Sequence, residues 1–97
     1  MLNLEEVMGG GDRNMALFMD VHKKVDGLTA DAVAGAHKKD LEVQDEYNVK
    51  YLKYWFNEGA GTVFCLFEAP NKEAGAEVHK NAHGLLADDI TEVKEGI

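Results

Sequence analysis

Hydrophobic and polar positions divide the chain into six periodic segments. Met15–His22 (MALFMDVH) is short, apolar on both alternating sets, and followed by a polar turn that closes at Gly27. This is a strand pattern. Thr29 then offers an N-cap, with Asp31 in the first turn, where the helix dipole favours an anion. A helix is predicted from there to about Tyr47, with Asn48 as its stop signal. Val49–Phe56 (VKYLKYWF) is β-branched and aromatic and predicts a second strand. A glycine-containing loop, Asn57–Gly61, joins it to Thr62–Glu68 (TVFCLFE), the most apolar strand. After Pro70, Asn71 caps a second helix that should end near His83, because Gly84 supplies a left-handed exit. Ile90–Glu95 (ITEVKE) is the last strand.

The order β-α-β-β-α-β predicts an α+β, ferredoxin-like fold: a four-stranded antiparallel sheet with both helices on one face. Along the third predicted strand, Val63, Cys65 and Phe67 point one way and Phe64 and Leu66 the other. Helices cover one face only. The other apolar face calls for a second cover, and a second copy of the sheet is the simplest, so a homodimer is expected. The alternative is a monomer whose N-terminal extension partly covers that face. Residues 1–14, ending in Gly9-Gly10-Gly11, are expected to form a flexible extension, with residues 15–97 as one domain.

Polar residues break the apolar pattern at informative points. On the first helix His37, Asp40 and Gln44 fall near the centre of the stripe that also carries Ala30, Val33, Leu41 and Tyr47. Buried polar groups must be paired or must coordinate something. His37 and Asp40 therefore read either as a self-satisfied pair or as part of a ligand set. His79 and His83 are spaced i, i+4, so both imidazoles leave one side of the second helix and could share an ion. By the stripe Ala74, Val78, Ala82 and Leu85 they lie at the border of the apolar face, which also suits a plain helix-end histidine. Asp20 and His22 share a face at the end of the first strand, where a solvent-facing histidine is the bland reading. Cys65, between Phe64 and Leu66, reads as a buried, inert thiol.

Composition narrows the classes. The chain has 97 residues, 45% hydrophobic and 29% charged, which is ordinary for one globular domain. Its formal charge of −8 disfavours nucleic acid and anionic membranes and suits cations. One cysteine excludes an intramolecular disulfide and any all-cysteine zinc site. No run is long enough to span a membrane and residues 1–14 lack the apolar core of a signal peptide, so a cytoplasmic protein is expected. No P-loop, dinucleotide fingerprint, nucleophile elbow or EF-hand occurs.

Several motifs in order are similar to a small nickel-binding, ferredoxin-like family largely grouped as a domain of unknown function. They are MDVH (Met19–His22), AHKKD (Ala36–Asp40) with Gln44, YLKYW (Tyr51–Trp55), GTVFCLFEAP (Gly61–Pro70), VHKNAHG (Val78–Gly84) and ADDI (Ala87–Ile90). The family includes a streptomycete nickel-binding protein, a dimer with an α+β barrel. The resemblance implies a dimeric, metal-binding role with nickel(II) as the ion and no known reaction. The candidate metal ligands at matching positions, inferred from their chemistry, are His22, His37, Asp40, His79 and His83. Imidazole donors suit zinc and copper as well as nickel. Sequestration or buffering is then the expected role, with metal affinity falling from about pH 7.5 to about pH 5.5 as ordinary histidines protonate. A different class stays open: a small-molecule isomerase or cofactor-free oxygenase of the dimeric barrel type, with His37 and Asp40 as an acid–base pair. So does a plain association module with structural histidines.

Overall fold

The computed structural model describes residues 15–96, so the expectation of a flexible segment at residues 1–14 lies outside the described residues. Strands β1 (Ala16–His22), β2 (Lys50–Asn57), β3 (Thr62–Ala69) and β4 (Asp89–Val93) form one antiparallel sheet in the order β2-β3-β1-β4. Helix α1 (Ala30–Val43) follows β1, and α2 (Lys72–Ala82) follows β3. This is the ferredoxin-like topology that the element order predicts.

Local chemistry sets the helix ends. The Thr29 side chain accepts from Ala32 N, and the Asn71 side chain accepts from Ala74 N at 2.9 Å. Helix α1 tightens into a 3-10 turn over Gln44–Tyr47 and stops at Asn48, which takes a left-handed φ of 58°. Gln44 does not reach the site. Its Oε1 accepts the Tyr51 backbone N–H at 2.8 Å, next to an irregularity in the β2–β3 register between Tyr51 and Lys53.

Alternation then sorts the sheet. Phe18, Tyr51, Val63, Cys65, Phe67 and Ala69 are buried with Val33 and Val78 from the helices. Phe67 is the centre of this core, stacked on Phe18 and tilted against Tyr51. Helix α2 approaches it closely through Gly75, where a Cβ would collide with the Phe67 ring. On the opposite face Trp55 and Phe64, paired across β2 and β3, remain exposed at 47% and 37%.

Candidate metal centre

The same alternation that sends Phe18 into the core sends Asp20 and His22 after it, so the end of β1 delivers a carboxylate and an imidazole under the helices. Helix α2 supplies His79 one turn after Gly75, and the tight Gly75–Phe67 contact holds that turn down on the sheet. Helix α1 contributes Asp40, in its last turn. Asp20, His22, Asp40 and His79 are all buried, with Asp20 at 0% and His79 at 1% exposure.

These groups form one chain of contacts. His79 is its middle: Nδ1 lies 2.9 Å from Asp40 Oδ1 and Nε2 lies 2.9 Å from Asp20 Oδ2. His83 Nε2 reaches the same Asp40 oxygen at 3.0 Å, while its Nδ1 accepts from Leu85 N. At the other end His22 Nε2 stands 3.3 Å from both His79 Nε2 and Asp20 Oδ1. The Tyr51 hydroxyl donates to the Gly75 carbonyl at 3.0 Å and sits 3.1 Å from His79 Nε2.

Electrostatics follow from this order. Burial alone would lower the His79 pKa, but its hydrogen bonds to Asp20 and Asp40 outweigh burial and push it up to about 9. Burial would raise the Asp20 and Asp40 carboxyls, yet the neighbouring imidazoles, His22 and His79 at Asp20 and His79 and His83 at Asp40, hold both below the usual carboxylate value. Burial and the Asp20 charge push the Cys65 thiol and the Tyr51 hydroxyl upward. Burial lowers the His37 imidazole.

One atom stands out. Asp20 Oδ1 is buried without a hydrogen-bond partner among the described residues, although His22 Nε2 stands 3.3 Å away. Asp20 belongs to a group in which one donor atom from each of Asp20, His22, Cys65 and His79 lies within 4.8 Å of the others. Two nitrogens bound to one tetrahedral ion at about 2.0–2.1 Å stand about 3.3 Å apart. The 3.3 Å between His22 Nε2 and His79 Nε2 matches that edge. An orphaned carboxylate oxygen, two converging imidazoles and a thiol fit a divalent transition ion and do not fit calcium or magnesium, which take oxygen ligands. Asp40, His79 and His83 form a second such group, on the Nδ1 side of His79.

Residues 18–93 match the protein family described as nickel responsive protein, SCO4226-like. The chain belongs to that family. It is similar to the crystal structure of SCO4226 from Streptomyces coelicolor A3(2), with 41% identity over 84% of this chain and 100% of that chain and a TM-score of 0.79. No curated protein matches the chain. All of the buried network lies inside the segment that matches the SCO4226-like family.

Of the candidate ligands read from the sequence, His22, Asp40, His79 and His83 come together in this network. His37 does not join it: it is half-buried and its ring lies 4.7 Å from that of Tyr54. Asp40 turns away from His37, one helical turn back, and toward α2, where two imidazoles meet it. His79 lies at the centre of the buried face of α2, not at its border. A stripe through Leu85 rotates the expected face, because Leu85 lies beyond the left-handed Gly84 and is exposed. Cys65 is buried, as expected of an inert thiol, and burial pushes its pKa up; it stands directly opposite Asp20 in the β1–β3 register. Asp20 was noted only as a companion of His22; an aspartate flanked by Met19 and Val21 on an apolar strand is the signal that marks it.

Proposed function

We propose that this protein is a small cytoplasmic homodimer that binds a divalent transition metal, nickel in keeping with its family, and so sequesters or buffers it. The observation that carries this reading is the convergence of donor atoms from Asp20, His22, Cys65 and His79, with one oxygen of Asp20 left without a hydrogen-bond partner among the described residues. These four are the proposed ligands. Asp40 accepts the Nδ1 proton of His79 and so leaves Nε2 to offer its lone pair; a carboxylate behind a ligand histidine fixes both tautomer and ring direction. His83 steadies Asp40 from the other side. A bound dication supplies the positive charge that lets the Cys65 thiol ionise despite its burial. The donor set accepts nickel, zinc and copper alike, and the choice of nickel rests on the family description. No helix among the described residues is long and apolar enough to cross a membrane.

The homodimer reading rests on the open sheet face, where Trp55, Phe64 and Leu52 are exposed alongside half-buried Leu17, Met19 and Leu66.

Calorimetric titration with nickel tests the site. Wild type should bind saturably, and His79→Ala should reduce affinity at least a hundredfold through loss of a ligand. Titration with cobalt(II) should produce a thiolate charge-transfer band in the near ultraviolet that Cys65→Ser removes. Nickel binding that ignores His79→Ala and weakens only with added salt would reduce the effect to surface charge.

A further inference from the structure

The buried network is also one wall of a cavity of about 140 Å³ between α1, the sheet and the segment after α2. The rest of its lining is mostly apolar, with Val25, Leu28, Val33, Ala36, Val63 and Leu85, and includes the acidic Asp26. Volume limits the occupant. Pockets for drug-sized ligands run to about 300–1,000 Å³, whereas an apolar cavity of about 150 Å³ holds a single benzene ring. Walls of this kind favour a flat hydrocarbon ring over water.

The polar groups of the cavity then decide what the ring should carry. His79 and His83 have both ring nitrogens engaged. His37 and Tyr54 also line the cavity, ring against ring at 4.7 Å, and neither the His37 nitrogens nor the Tyr54 hydroxyl bonds another described residue. They offer both a hydrogen-bond donor and an acceptor at an apolar surface. An anionic substituent would lie near the Asp40 carboxylate, and a charged group of either sign would lose its hydration against apolar walls.

We infer that this cavity is a binding site for a small, uncharged, single-ring aromatic molecule bearing one hydroxyl, a phenol, with its ring against Val33, Ala36 and Val63 and its hydroxyl on His37 and Tyr54. The ring contacts involve no metal-ligating side chain proposed above, so the assignment does not rest on the metal reading, although His22, Cys65 and His79 line the opposite wall.

Titration of the full chain with phenol, benzene and benzoate, followed by proton–nitrogen correlation NMR, tests this. Phenol should shift resonances of Val33, Ala36, His37 and Tyr54 saturably. It should bind about fivefold tighter than benzene, the size of one net hydrogen bond, and benzoate should bind more weakly than either. Ala36→Phe fills the cavity and should abolish phenol binding while leaving the remaining spectrum dispersed; Ala36→Leu serves the same purpose if the larger ring prevents folding. His37→Phe with Tyr54→Phe should keep ring binding and erase the preference for phenol over benzene. Shifts scattered over the surface, phenol binding untouched by the cavity-filling change, or benzene equalling phenol in wild type would each overturn the assignment. Repeating the titration with a chelator, and again with nickel, separates the two readings: phenol binding in both conditions without nickel binding leaves the cavity standing alone.

Discussion

Strand β1 presents Phe18, Asp20 and His22 to the helices and Leu17, Met19 and Val21 to the open side of the sheet. The covered face therefore carries the charge, and the open face carries hydrocarbon. An ordinary half-buried strand has the reverse arrangement. The inversion has a physical reading on each side. Carboxylates under helices are costly unless partnered, and here His79 meets an oxygen of both Asp20 and Asp40 while one Asp20 oxygen is left over. Aromatic rings on an uncovered sheet persist only if they are covered by something else. The covered face suits the ion proposed above and the open face the proposed second copy.

The largest expected effect comes from breaking the covered face. His79→Ala leaves Asp20 and Asp40 buried with their shared partner gone, and such a break costs about 3–5 kcal/mol. Urea denaturation in chelator checks this. A cost below about 1 kcal/mol would mean that the carboxylates are hydrated and the face is not a closed network.

Acidity acts on the same face with a defined sign. The His79 pKa is raised from 6.5 to about 9, so its contribution to stability is complete below pH 6.5 and is lost as pH rises through about 9. Asp20 and Asp40 titrate below 3.8, so their contribution is present above 3.8 and is lost as pH falls through the lowered values. Metal-free protein should therefore be most stable between about pH 4 and pH 6.5, losing on the order of 3 kcal/mol toward pH 9. Denaturation across this range is the measurement, and stability that is flat from pH 6 to pH 9 would contradict it. Nickel competes with the His79 proton, so affinity should climb from neutral pH toward pH 9. This window lies higher than the one ordinary histidines predict.

A smaller effect sharpens the open face. Trp55→Glu should weaken dimerisation about thirtyfold, on the scale of a buried aromatic anchor, and leave monomer stability within about 0.5 kcal/mol. Sedimentation equilibrium at micromolar concentration should show twice the chain mass for wild type and mostly monomer for the variant. A wild-type monomer would leave Trp55 and Phe64 without a partner copy.

Much of this was legible in the residues. Caps at Thr29 and Asn71, the stop at Asn48 and the two-sided apolar run Val63–Phe67 define elements by local rules, and local rules survive folding. Polar residues inside an apolar stripe mark His37 and Asp40 as unusual, and the i, i+4 spacing marks His79 and His83. Pairing was not legible. Asp40 lies one turn from His37 in sequence, yet its partners are His79 and His83 on the other helix, a choice made by how α1 packs on α2. Nor does β alternation alone reveal that Cys65 stands across from Asp20, because that depends on the β1–β3 register.

The central claim is that Asp20, His22, Cys65 and His79 hold one transition metal ion. Crystals grown or soaked with nickel, measured at the nickel absorption edge, test it most directly. The expected result is a single strong anomalous peak per chain within about 2.0–2.3 Å of His22 Nε2, His79 Nε2 and Cys65 Sγ, with an Asp20 oxygen beside it. Peaks confined to surface histidines or acidic side chains, with the 3.3 Å His22–His79 contact unchanged, would contradict it.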